Sequence, residues 1–85
     1  MEVEYSPSAQ EDIDYWKRIN PKFLEKIEAL IENINITPFT GIGKPEPLKF
    51  GKGYWSRRIS DFHRLLYKIE DGKLYVLQCR YHYGK

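Results

Sequence analysis

The segment Arg64-Leu65-Leu66-Tyr67-Lys68-Ile69-Glu70-Asp71-Gly72-Lys73-Leu74-Tyr75-Val76-Leu77-Gln78-Cys79-Arg80-Tyr81-His82-Tyr83 holds two strand-like runs around an Asp-Gly turn signal. Such a pattern reads as a β-hairpin. Its register matters, because a slip of one residue carries every side chain to the other face of the sheet. A two-residue turn at Asp71-Gly72 sets Arg64 and His82 on opposite faces. A three-residue Glu70-Asp71-Gly72 loop with a glycine bulge instead pairs Ile69 with Lys73. Leu65, Tyr67 and Ile69 then share an apolar face with Tyr75, Leu77, Cys79 and Tyr81. Arg64, Leu66 and Lys68 share a polar, basic face with Val76, Gln78, Arg80 and His82. The bulged form separates core from surface better and is the expected one.

One more strand precedes the hairpin, from Tyr54 to Ile59, with Ser60-Asp61 opening the turn between them. Before that, Thr37 to Gly53 carries Pro38, Gly41, Gly43, Pro45, Pro47, Gly51 and Gly53, a long loop in so short a chain. Prolines 45 and 47 bracket Glu46 and exclude an ordinary helix there. Further upstream lie two helices. Ser6-Pro7 reads as an N-cap followed by proline at the first helical position, and Ala9, Ile13 and Trp16 make one apolar face ending near Ile19. Asn20-Pro21 repeats the signal before Leu24, Ile27, Ile31 and Ile34, a stripe that Phe23 and Leu30 widen. Val3 and Tyr5 belong to a first strand. The expected fold is α+β: an N-terminal strand, two helices, then an antiparallel meander of three strands, with the helices on one face of the sheet.

The 85 residues give one domain, 1–85, with one small core. Aromatic residues make up 15% of the chain, enough to favour a packed core over disorder. The net charge of +2 identifies no partner, but its distribution does. From Lys44 onward there are ten basic residues against four acids, which points to an anionic partner for the second half. Cys79 is the only cysteine, so neither an internal disulfide nor a cysteine-rich metal site is expected. It reads as a buried strand residue rather than a nucleophile. The N-terminus lacks the pattern of a signal peptide and no apolar run is long enough for a membrane span, so a cytoplasmic protein is expected.

The polar strand face and the long loop carry the residue types that cut RNA. Arginines such as Arg64, Arg80 and Arg58 suit a phosphate through paired, charge-assisted hydrogen bonds. Lys49 adds a further cation. A histidine, His82, exchanges a proton near neutral pH, and a carboxylate, Glu46, acts as a base. RNA supplies its own nucleophile, the 2′-hydroxyl, so no metal or other cofactor is needed. Each residue alone also has an ordinary structural reading: a solvated loop carboxylate, arginines on a half-exposed sheet, a terminal His-Tyr pair. His63, Trp16 and Trp55 read as structural. Composition and spacing leave an RNA-binding module and a ribonuclease nearly level.

The sequence Thr37-Pro38-Phe39, Gly41, then Gly43-Lys44-Pro45-Glu46-Pro47-Leu48-Lys49 resembles the loop of the YoeB (Txe/YoeB) toxins, within the wider RelE-like superfamily. Tyr15-Trp16, Tyr54-Trp55-Ser56-Arg57-Arg58-Ile59, His63-Arg64-Leu65 and Cys79-Arg80-Tyr81-His82-Tyr83 extend the resemblance over nearly the whole chain. It implies a ribosome-dependent mRNA interferase of a type II toxin–antitoxin system, with a RelE-like fold. Glu46 is then the general base, Arg64 the phosphate-stabilising arginine, His82 the general acid and Tyr83 the terminal tyrosine. Lys49 and Arg58 match basic positions near the substrate. The implied partners are a cognate, YefM-like antitoxin, the ribosome and mRNA, with a homodimer or toxin–antitoxin hetero-oligomer as the assembly. Phe62 stands where relatives carry an acid, and Gly84-Lys85 extends past the His-Tyr ending. The alternatives are a non-catalytic RNA- or ribosome-binding inhibitor of translation, and a protein-interaction module of related fold.

Overall fold

The computed structural model describes residues 1–49 and 51–81. In chain order these form β1 (Glu2–Tyr5), α1 (Pro7–Ile19), α2 (Pro21–Ile36), β2 (Glu46–Pro47), β3 (Tyr54–Arg58), β4 (Arg64–Glu70) and β5 (Lys73–Gln78). The α+β architecture is the expected one, with two additions. Glu46–Pro47 pairs antiparallel with β3, and β1 runs parallel to β5, giving a mixed five-stranded sheet of order β1-β5-β4-β3-β2. A two-residue edge strand between prolines offers no alternation to read. Proline is tolerated there because an edge strand has one side free of ladder bonds.

Both helices begin with proline at their N-termini. Ser6 caps α1: its hydroxyl accepts from the Ala9 N–H at 3.0 Å and donates to the Leu77 carbonyl. One side chain thus closes a helix and ties it to the sheet. Ser6→Ala is expected to lower stability by roughly 1–2 kcal/mol, read as a lower urea midpoint with an unchanged slope. Asn20 does not repeat the device, since its side chain makes no capping bond. Its backbone N–H closes α1 on the Trp16 carbonyl, and its carbonyl accepts from Phe23, so the residue serves as a joint between the helices.

Ala9 and Trp16 from α1, and Ile27, Leu30 and Ile34 from α2, meet Leu65, Tyr67, Leu74, Val76 and Cys79 in the core. The hairpin differs from expectation in three respects. Its turn is the two-residue one: Glu70 pairs with Lys73 and Ile69 with Leu74, and Asp71 and Gly72 both have positive φ, 54° and 75°. Those angles give the twist that a tight hairpin needs. The bulge lies further along, where Tyr67 pairs with Val76 but Leu66 pairs with Gln78. The inward positions on β5 are therefore Leu74 and Val76, with Cys79 beyond the shift, while Tyr75 and Leu77 are only half-buried. Finally, β5 ends at Gln78 rather than at Tyr83. Arg64, Leu66 and Gln78 still share one face, but Gln78 pairs with Leu66 rather than Arg64, and Val76, expected on that polar face, turns into the core opposite Tyr67, because a mid-strand bulge re-aims the end of the strand.

Candidate functional site

Glu46 reaches the sheet because β2 lies against β3 with Glu46 opposite Ser56. Ser56 in turn lies opposite Leu66, and Arg58 opposite Arg64, so Glu46, Ser56, Arg58, Arg64 and Leu66 share the face away from the helices. Arg64 is only 4% exposed. Its Nε donates to Ser56 Oγ at 2.9 Å, and one terminal nitrogen donates to the carbonyls of Lys44 at 3.0 Å and Ser56 at 3.3 Å. The same nitrogen stands 3.8 Å from Glu46 Oε2, beyond direct hydrogen-bond distance. The Glu46 side chain is 52% exposed, so this ion pair adds little to stability. A fixed guanidinium next to an accessible carboxylate is instead suited to a substrate that needs both a cation and a base.

The loop before Glu46 is held from the other side of the sheet by Arg57, which is fully buried. Its guanidinium donates to the carbonyls of Thr37 (2.7 Å), Thr40 (2.9 Å) and Ile42 (3.1 Å), to Asn33 Oδ1, and to the Tyr67 hydroxyl (3.3 Å). Tyr67 passes the chain of bonds on by donating to the Pro38 carbonyl at 2.6 Å. Asn33 Oδ1 also accepts from the Ile42 N–H. The loop then turns through Gly43, at φ 80°, where an added Cβ would lie 2.7 Å from Leu30 Cδ2. The Gly43 carbonyl accepts from the Arg58 N–H, and Lys44 at φ 49° leads into β2. Two arginines on opposite faces of the sheet thus fix the loop on either side of Gly43. Sequence reading missed Arg57. The signal was its parity with Trp55, which puts a guanidinium on the core-facing side of β3, where it must find several acceptors.

The remaining expected site residues fall as follows. Lys49 and Arg58 are both exposed, Arg58 on the Glu46 face of β3 and Lys49 two residues past the end of β2. Arg80 does not join them: its guanidinium lies over the Tyr15 ring at 3.5 Å and near Tyr81 at 4.6 Å, against α1. The bulge and the end of β5 at Gln78 account for this, since Arg80 is no longer on a strand. His82, Tyr83, Gly84 and Lys85 lie outside the described residues. The three residues before them are firmly held. Cys79 donates its N–H to Asp12 Oδ2 at 3.0 Å, and its carbonyl accepts from Trp16 Nε1 at 2.9 Å. Tyr81 donates its N–H to His63 Nδ1 at 2.7 Å and accepts from the Arg64 N–H at 3.1 Å. Burial pushes the Cys79 thiol up to about 12, so it stays protonated and unreactive, as expected of a core residue. Among the described residues, no helix is long and apolar enough to cross a membrane.

A profile of the YoeB-like toxins of bacterial type II toxin–antitoxin systems matches residues 5–83. The chain is 44% identical to the toxin YoeB of Escherichia coli K12 over 84 residues, covering 98% of this chain and all of that protein. A YoeB/ParE toxin from Agrobacterium tumefaciens superposes with a TM-score of 0.93 at 46% identity, covering 98% of this chain and all of that one. YoeB from Staphylococcus aureus has been solved as a dimer, with a TM-score of 0.92, 40% identity and 98% of both chains covered. It has also been solved in a heterotetrameric YoeB–YefM toxin–antitoxin complex, with a TM-score of 0.87, 40% identity and the same coverage.

Proposed function

This chain belongs to the YoeB-like toxins of bacterial type II toxin–antitoxin systems, and we propose that it is an endoribonuclease that cuts messenger RNA on the ribosome. The observation that carries the reading is the buried Arg64 guanidinium, oriented by Ser56 and Lys44, with the accessible Glu46 carboxylate 3.8 Å away. In this mechanism Glu46 takes the proton from a 2′-hydroxyl, whose oxygen attacks the adjacent phosphorus. Arg64 stabilises the charge that builds on the phosphoryl oxygens. His82 protonates the departing 5′-oxygen, and Tyr83 positions the base or phosphate by stacking and by its hydroxyl. The phosphorus–5′-oxygen bond breaks as the 2′-oxygen bond forms. The products are a 2′,3′-cyclic phosphate and a 5′-hydroxyl, with no cofactor. Lys49 and Arg58 supply cations for flanking phosphates. Arg80, pinned on Tyr15, serves the turn that precedes His82 rather than the RNA.

The site works in the cytoplasm, where ribosomes present their message, and toxicity of that kind calls for an antitoxin. The partner proposed is a YefM-like chain whose acidic or amphipathic segment covers the basic face. A homodimer is the proposed state of the free toxin, after the solved Staphylococcus aureus relative. Primer extension on transcripts from expressing cells tests the activity. Discrete cuts in translated messages, absent with His82→Ala, are the expected result. Translation arrest with uncut transcripts would favour a non-catalytic ribosome-binding inhibitor instead.

A further inference from the structure

The backbone leaves the sheet at Gln78 and takes a positive φ of 67° at Tyr81, a non-glycine residue one position before His82. A left-handed tyrosine is not a relaxed conformation, so something must hold it. Two bonds do: Tyr81 N–H to His63 Nδ1 and Arg64 N–H to the Tyr81 carbonyl. The first requires an unprotonated Nδ1, because an imidazolium has no acceptor. We propose that His63 is a positioning residue, a latch whose neutral ring fixes the turn that leads the chain into His82 and whose protonation opens it. The catalytic consequence rests on the ribonuclease reading; the latch itself does not.

The surroundings of His63 are arranged for this. Its own backbone is fixed, since its carbonyl accepts from the N–H groups of Ile59 and Ser60 and its N–H donates to Ser60 Oγ. The ring is wedged edge-on against Trp16 at 4.8 Å and Phe23 at 6.0 Å, so its Nδ1 cannot swing away from Tyr81 without repacking. Among the described residues, Asp12 from α1 and Arg80 and Tyr81 from the segment after β5 are the charged and titratable groups facing it, and α2 places the Phe23 ring against it. Burial first, and then the Arg80 charge, hold its pKa below the ordinary histidine value, against a smaller opposing pull from Asp12. The neutral, accepting form is therefore favoured in the folded protein. The stability it contributes is complete above the ordinary histidine range and is lost as pH falls through the lowered folded value.

The test follows the Tyr81 amide by NMR hydrogen exchange across the acid side of neutrality, in the wild-type chain, in His63→Asn and in His63→Phe. Asparagine can present a non-titrating acceptor from a similar place, whereas phenylalanine fills the space and accepts nothing. Protection in the wild type that disappears on acidification, persists in His63→Asn and is absent in His63→Phe is the expected pattern. RNA cleavage then reads the consequence. His63→Phe should lose about 10–100-fold in kcat with KM changed less than about threefold. His63→Asn should recover most of that loss and keep its activity to lower pH than the wild type. The two proteins differ only at residue 63, so the difference between the two profiles isolates His63. A wild-type Tyr81 amide that exchanges freely above the histidine range overturns the latch. So does full kcat in His63→Phe once the protection is gone, or a His63→Asn as impaired as His63→Phe. If the wild type cuts no RNA, the ribonuclease reading fails, and the exchange pattern still decides whether the latch exists.

Discussion

Glu46→Gln is expected to lower kcat for RNA cleavage by roughly 10²–10⁴-fold, the usual share of one proton-transfer group. The substitution keeps the size and the hydrogen-bonding reach of the side chain and removes only its basicity. The fold should not notice. The carboxylate is 52% exposed and its ion pair with Arg64 spans 3.8 Å, so neither burial nor a tight contact is lost. A stability change within about 0.5 kcal/mol is predicted, measured by urea unfolding. The combination is diagnostic: a residue that matters to the reaction and not to the fold has no reason to sit beside a buried arginine except chemistry. KM should change little, because the proposed mechanism gives the grip on the phosphate to Arg64 rather than to Glu46.

The second large effect is opposite in kind. Arg57→Met should destabilise the protein by about 3 kcal/mol or more, and lower Tm by roughly 10–25 °C for a chain of this size. Methionine restores the volume of the stem but donates nothing. The carbonyls of Thr37, Thr40 and Ile42, together with Asn33 Oδ1, then lose a donor from within the protein. These bonds are part-buried, and each acceptor costs of order 1–3 kcal/mol where water does not reach it. Arg57→Lys should recover only part, since an ammonium has three donors on a flexible stem where the guanidinium presents five in a fixed plane. Because the loop leads directly to Glu46, cleavage activity should fall in Arg57→Met even at temperatures where the protein remains folded. Thermal unfolding followed by circular dichroism, with activity measured well below Tm, checks both statements.

These two residues also show what the sequence made legible. Glu46 could be found because prolines on both sides forbid a helix and leave a carboxylate in a basic half of the chain. That it approaches Arg64 could not be read, since a two-residue strand has no periodicity. The helices were readable from their caps and apolar stripes. The hairpin was readable as a hairpin but not in register. Leu74, Tyr75, Val76 and Leu77 are apolar at both parities, so sorting residues into apolar and polar faces could not tell a bulge at the turn from one at Leu66–Tyr67. The Asp-Gly pair did carry the correct signal for a tight turn with two positive-φ residues, and the segregation of faces outweighed it wrongly. Arg80 was placed with Arg64 by extending an alternation past Gln78, where the strand has ended and Trp16, Asp12 and His63 direct the backbone instead. Contacts of that sort, between residues more than sixty positions apart in the case of Asp12 and Trp16, have no local signature.

Product-end analysis of an mRNA bound to programmed ribosomes, cleaved with chelator present, tests the central claim most directly. A second message carrying a single 2′-deoxynucleotide at the cut position serves as the control. A 2′,3′-cyclic phosphate upstream and a 5′-hydroxyl downstream, with cleavage abolished by the 2′-deoxy substitution, is the predicted result. A 3′-hydroxyl with a 5′-phosphate, or cleavage that persists without the 2′-hydroxyl, would contradict it.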